Sequence, residues 1–405
     1  MTAKWKNARK VERLRHWRML RRYRWLTLER RRRIRLRRGK ICNLGRYRDD
    51  AYFRISALDR GIAQEVGRKG FVSPKGVKQR LPKGTLVLVL PEVFDFEKNY
   101  DESARLIAIF RRALLERKRI SYIDFSRLNE VSPACVMVFT CYVDLWKDTA
   151  PRISPAIDTW QPNVVKAFRE VGFFRLLGFT CDKGGAEDSP IRYMSLSPHL
   201  VNDATQRVVN TEVVSIRKRI EEFVGETLDK RVIYQSVSEA ILNVYNHAYG
   251  AGCPHKLTKK WWLSVSFDDV SRDMTVILFD HGLGIPTTIL QSSKFSWYRE
   301  FYYKINKRFG EDTRLWLAFE RLRNKRAPEK VEAKCGGRGR GCKDVLQMVM
   351  RTVAADVSHV GNTINVISSH ARYRYISSDD PTKRGESVKL AIPLQGTLIE
   401  WRIKI

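Results

Sequence analysis

Three polar residues of different chemistry, Glu239, Asn243 and His247, recur every four positions in a stretch otherwise patterned for burial. Val237, Ala240, Ile241, Val244, Tyr245 and Ala248 form an apolar stripe at i, i+3, i+4, i+7, i+8 and i+11, the signature of one helix face. At about 100° per residue, four residues return close to the same azimuth, so the three polar groups stack beside the stripe. A carboxylate, an amide and an imidazole aligned there suggest a site; a solvated helix flank is the other reading. Two glycine clusters lie downstream. Phe279-Asp280-His281-Gly282-Leu283-Gly284-Ile285-Pro286 follows an apolar run, and Gly336-Gly337-Arg338-Gly339-Arg340-Gly341 precedes a helical pattern from Lys343 to Thr352. Glycines at alternate positions let backbone approach a ligand, and exposed amides before a helix N-terminus cradle anions. No GxxxxGK[ST] loop occurs, and neither cluster has the Rossmann order of strand, GxGxxG and helix near a domain start.

The elements that must position these residues alternate between helical and strand-like patterns. Trp261 to Phe267, Thr275 to Phe279, Thr363 to Ser368 and Val388 to Ile392 read as strands, and Glu212 to Phe223 as a helix before the polar-striped one. The C-terminus alternates with period two. Ile399, Trp401, Ile403 and Ile405 point one way, and Glu400, Arg402 and Lys404 the other, as in a strand with one buried and one wet face. Upstream, Thr85 to Leu90 and Ile120 to Phe125 are short apolar runs. Helical patterns follow them at Ser103 to Leu115, at Pro133 to Trp146, and from Pro162 through Val164, Val165, Phe168, Val171 and Leu176. This order predicts an α/β domain over residues 84–182, with a connecting segment at 51–83 and a Gly-rich, acidic linker opening at Asp182 and covering 183–210.

The chain has 405 residues and a formal net charge of +32. Residues 1–48 hold 20 Lys and Arg against Glu12 and Glu29, an excess of 18, interleaved with Trp5, Trp17, Tyr23 and Trp25. The basic arm, 1–50, therefore reads as a grip on a polyanion. Tryptophans among bases favour nucleic acid, DNA or RNA; a solvated tail and an acidic membrane surface are the alternatives. The longest uncharged apolar stretch, Ala134 to Val143, is far short of a membrane span, and no secretory signal opens the chain. The expectation is a cytoplasmic protein. Seven scattered cysteines without a CxxC read as reduced thiols and offer no zinc site.

Taken in order, the motifs resemble the GHKL superfamily of ATPases, which includes DNA gyrase and the histidine kinases, and within it the compact anti-sigma-factor serine kinases. Glu239-x3-Asn243-x3-His247-Ala248 is similar to the N box, Asp280-x-Gly282-x-Gly284 to the G1 box, and Gly337-x-Gly339-x-Gly341 to the G2 box. Gly396-Thr397, before the last strand, is similar to the closing Gly-Thr element. The resemblance covers residues 211–405 and implies a Bergerat-type two-layer α/β sandwich binding ATP and Mg²⁺. By position, Asn243 would hold the metal and Glu239 would be the general base. Asp280 would accept from the adenine amino group, with Gly282 and Gly284 letting the base pack close. Gly337, Gly339 and Gly341 would hold the triphosphate beside Arg338 and Arg340, with Thr397 and His247 completing the nucleotide wall. Residues 285–336 correspond to the ATP lid. With Trp297, Tyr298, Phe301, Tyr302, Tyr303 and a basic helix from Trp316 to Arg326, that lid reads as a nucleotide-gated surface or as a unit with its own aromatic core.

The first α/β domain resembles a STAS domain through Ile123-Asp124-Phe125-Ser126, Val131-Ser132-Pro133-Ala134-Cys135 and Val171-Gly172-Phe173. Where signalling members carry Asp-Ser-Ser-Gly with the phosphorylated serine, this chain has Ser132, Pro133, Ala134 and Cys135. Neither acceptor hydroxyl is kept, which favours partner docking over a phosphorylation switch. The resemblance thus implies an ATP-hydrolysing switch protein whose arm engages nucleic acid and whose STAS-like domain or lid meets a protein partner. GHKL proteins are often homodimers. The alternatives are a serine/threonine protein kinase of the anti-sigma type and an ATP-bound nucleic-acid scaffold without turnover.

Overall fold

The computed structural model describes residues 61–66, 71–72, 78–79, 85–115, 120–147, 160–176, 191–200, 230–249, 259–268, 271–291, 310–324, 341–351, 360–380 and 383–404, with a few single positions besides. The basic arm, the helix expected at 212–223 and the lid aromatics at 297–303 lie outside the described residues. What is described is mixed α/β.

The first unit has a three-stranded sheet of β1 (Ala63–Glu65), β2 (Leu86–Val89) and β3 (Ile120–Asp124), in that order. β1 is antiparallel to β2, and β2 is parallel to β3. β1 comes from the segment expected to be a connector, so this sheet begins upstream of residue 84. Every residue of β2 is buried, as befits a strand covered on both faces. Three helices pack with this sheet: α1 (Tyr100–Leu115), α2 (Pro133–Lys147) and α3 (Pro162–Glu170). α2 starts where its sequence dictates. Proline occupies the first helical position, and the Ser132 hydroxyl accepts the Cys135 N–H at 3.4 Å. Ser132 is thus a buried capping residue. An aromatic cluster locks the unit: Phe125 stacks on Trp160 at 3.7 Å and meets Phe139 and Phe168 edge-on.

The second unit is a five-stranded sheet in the order β7-β8-β6-β5-β4. Its strands are β4 (Ile191–Leu200), β5 (Lys260–Asp268), β6 (Asp273–Asp280), β7 (Thr363–Ile376) and β8 (Glu386–Lys404). Neighbouring strands are antiparallel throughout. β4 falls inside the expected linker and is an edge strand against β5. The two strand signals near the C-terminus belong to one strand, β8. Helices α4 (Lys230–Asn243), α5 (Ile285–Gln291), α6 (Glu311–Asn324) and α7 (Gly341–Arg351) complete the unit. Met274, Val276 and Leu278 of β6, with Ile399, Trp401 and Ile403 of β8, face a core shared with α4, α6 and α7.

The opposite face of the sheet is not wet. Trp262, Ile277, Phe279, Ile367 and Leu398 belong to the same core as α1 and α2 of the first unit. This corrects the expectation for Glu400, which is 2% exposed and bonded to Arg402 at 2.9 Å. Arg402 in turn lies 4.0 Å from Glu97 of the first unit. Burial pushes the Glu400 carboxyl above its ordinary value against the pull of Arg402. Further ties cross the boundary: the Tyr100 hydroxyl donates to the Ile392 carbonyl at 2.8 Å, and the Arg372 guanidinium sits 5.3 Å over the Tyr100 ring. α2, a strongly apolar helix, is therefore apolar because it is covered on both sides.

Candidate functional site

The site is built on one transverse row of the five-stranded sheet. Trp261 of β5 pairs with Asp280 of β6, Asp280 with Thr397 of β8, and Thr397 with Ser368 of β7. Alternation along β6 and β8 points Asp280 and Thr397 to the helix-covered face, the face of Leu278 and Ile399. The Asp280 carboxylate accepts the Gly282 N–H at 2.8 Å and hydrogen bonds from the Thr397 hydroxyl and backbone. It is nonetheless 2% exposed, and burial pushes its carboxyl up to about 7 against those hydrogen bonds. An acid at the C-terminal end of a strand, poised near neutrality without a cationic partner among the causes of its shift, is a functional-site signature.

Glycine is required on both sides of this carboxyl. A Cβ at Gly282 would stand 2.3 Å from the Ala248 carbonyl oxygen, and one at Gly396 would stand 1.9 Å from that of Asp280. Gly396 also has φ +99°, in the region L side chains rarely adopt. That kink lies within β8, so Thr397 is an internal strand residue, not one preceding the strand. The Leu283 N–H donates to the Ala248 carbonyl at 2.8 Å, which fastens the glycine turn to the end of the polar-striped helix.

The helix itself differs from a uniform α-helix. α4 ends at Asn243, and Val244–Ala248 continues as a π turn. Its i→i+5 bonding widens the turn, so His247 stands on a differently wound turn from Glu239 and Asn243. The apolar stripe is otherwise as expected, with Val237, Ala240, Ile241, Val244 and Ala248 buried and Tyr245 half-buried. Glu239, Asn243 and His247 are all half-buried. Within the α-helical part, Asn243 and Glu239 are separated by about 6 Å along the axis, at about 1.5 Å per residue. Gly337, Arg338, Gly339 and Arg340 lie outside the described residues; Gly341 is the first residue of α7, which packs along α4.

Ser368 escaped the sequence reading. Its hydroxyl donates to the Gly396 carbonyl at 3.0 Å, lies 3.0 Å from Thr397 Oγ1, and accepts the Ile285 N–H at 2.9 Å. One side chain so ties the glycine turn, the start of α5 and the Gly-Thr kink together. It sits at a register shift in β7, a feature no residue spacing announces.

The segment read as a lid is in part fixed. α6 places Leu315, Ala318 and Phe319 in the main core, with Phe319 stacked on Tyr373 at 4.7 Å. Buried Glu320 accepts from the Tyr373 hydroxyl at 2.7 Å and the Gly385 N–H at 2.6 Å. Trp316 donates to the Gly385 carbonyl at 2.9 Å. These residues serve the common core and not a separate lid core.

Among the described residues, no group of three or more His, Cys, Asp or Glu is placed to hold a metal, and no helix is long and apolar enough to cross a membrane. Cys135 and Cys141 are buried free thiols. No family model matches the chain, and no curated protein matches it.

Proposed function

We propose that residues 211–405 bind an adenine nucleotide with Mg²⁺ in the manner of GHKL ATPases and turn it over as a conformational switch. The observation that carries this reading is the buried Asp280 carboxyl, flanked by two positions where no Cβ fits and braced by Thr397 and Ser368. A dry acceptor beside a cradle of bare backbone suits a flat heteroaromatic ring with an amino group to donate. The donor set fits the remaining parts as well. Asn243 would offer a neutral oxygen to Mg²⁺, a hard cation that would supply positive charge at the phosphate end. Glu239, one turn further from the adenine end, is the general base that orients and deprotonates the attacking water. Gly337, Gly339 and Gly341, with Arg338 and Arg340, would hold the phosphates, and the ion, when bound, would add charge neutralisation there. His247 lines the wall between the two ends.

The arm of residues 1–48 binds DNA or RNA through its phosphates, and the first unit is a STAS-like docking domain for a protein partner. A homodimer is consistent with this assembly. Thermal unfolding with and without MgATP tests the nucleotide assignment: wild type gains stability and Asp280→Asn does not. Release of phosphate identifies an ATPase, label transfer to protein identifies the kinase alternative, and binding without either identifies the scaffold.

A further inference from the structure

One chain of buried contacts leads from the first unit into the adenine-binding turn. Asp144, fully buried near the C-terminal end of α2, accepts from Lys260 Nζ at 3.0 Å and from Trp262 Nε1 at 3.2 Å, both through Oδ2. Both donors are on β5, in the other unit. The Trp262 ring lies 5.4 Å from the His281 ring and 6.0 Å from Phe279. The Lys260 backbone carbonyl takes the hydrogen of the Tyr249 hydroxyl, leaving that oxygen to accept from His281 Nδ1 at 3.2 Å. The His281 backbone N–H also points at the Tyr249 hydroxyl, at 3.4 Å. Two arms, Trp262 and Lys260–Tyr249, therefore start at one carboxylate and converge on the residue that follows Asp280.

We propose that Asp144 is a positioning residue for the nucleotide site: through Trp262, Lys260 and Tyr249 it fixes His281 and hence the orientation of the Asp280 carboxyl, so docking of the first unit completes the adenine pocket. The inference rests on the nucleotide reading of Asp280. Its chemistry is specific. Asp144 is the anion that faces the ammonium of Lys260, whose side chain is only 12% exposed. Asn at this position keeps the shape and can turn its one amide oxygen toward both donors, but it withdraws the charge that holds the Lys260 ammonium. The turn then loses its fixed orientation without losing its backbone. Reciprocity follows, since a nucleotide that holds Asp280 in place also favours the docked first unit.

The test compares ATP with inosine triphosphate, which carries an oxygen where adenine carries the amino group. Binding of each to the full chain is measured by calorimetry for wild type, Asp144→Asn and Trp262→Phe. Wild type favours ATP by tenfold or more. Both variants lose most of that preference while their affinity for inosine triphosphate stays within about threefold of wild type, because general destabilisation would weaken both ligands alike. An unchanged preference in Asp144→Asn overturns the proposal; should that variant not fold, an unchanged preference in Trp262→Phe does so. If wild type binds neither ligand or does not discriminate, the nucleotide reading is what fails. The positioning claim is then read without ligand, by a double-mutant cycle between Asp144→Asn and Asp280→Asn on the unfolding equilibrium. Coupling of threefold or more upholds it, and additive effects overturn it.

Discussion

Replacing Asp280 by Asn removes the one carboxyl that the fold holds dry at the end of β6, and the consequence can be worked from its titration. In the folded chain this group is pushed from 3.8 up to about 7. Between those values the folded state keeps a proton that the unfolded state has released. Stability therefore falls as pH rises through that window, and is level above about 7. A shift of about three pH units corresponds to roughly 4 kcal/mol in total, of which roughly 3 kcal/mol lies between pH 5 and pH 8. Asn carries no proton, so the variant lacks this decline. Its amide also faces the Thr397 N–H less well than a carboxylate does, but that cost does not vary with pH and cancels in the comparison. Urea unfolding of both proteins at pH 5 and pH 8 gives the measurement: the stability of Asp280→Asn relative to wild type should rise by roughly 3 kcal/mol from pH 5 to pH 8. Equal pH dependence in the two proteins would show that Asp280 titrates as a solvated acid, and the dry binding wall would be refuted.

Gly396→Ala places a Cβ 1.9 Å from the Asp280 carbonyl oxygen at φ +99°. It should lower unfolding free energy by at least about 1–3 kcal/mol, measured by denaturant titration. Glu239→Ala should lower phosphate release at least 100-fold while leaving the nucleotide dissociation constant within a few-fold; normal turnover would remove its role as base. Affinity for ATP should rise as pH increases through about 7, since the ionised Asp280 carboxyl is the better acceptor for an amino group; a pH-independent affinity contradicts that contact. Deleting residues 1–48 should abolish the salt-dependent part of DNA or RNA binding in a filter or anisotropy assay, and an intact salt slope would relieve the arm of that function.

Much of the site was legible because its residues obey a period. The α4 stripe and the C-terminal alternation are local regularities, and Asp280, Gly282 and Gly284 stand in one short run. What could not be read depends on distant partners. Glu400 alternates like a wet residue, yet its face is covered by the first unit, and no strand pattern tells what will dock on it. β4 hides behind Pro198, which forfeits an N–H and marks a strand only at a sheet edge. Ser368 became a bracing residue through a register shift in β7, and the π turn after Asn243 left no trace in residue spacing. Asp144 reads as one acid at the end of an apolar helix until Lys260 and Trp262 meet it from the other unit.

The central claim is that Asp280 and its flanking glycines hold an adenine nucleotide. Calorimetric titration of the full chain with MgATP, for wild type and Asp280→Asn side by side, tests it most directly. The account predicts saturable binding of one ATP per chain by wild type and at least tenfold weaker binding by the variant. Equal affinity in the two proteins, or no binding by wild type, would contradict it.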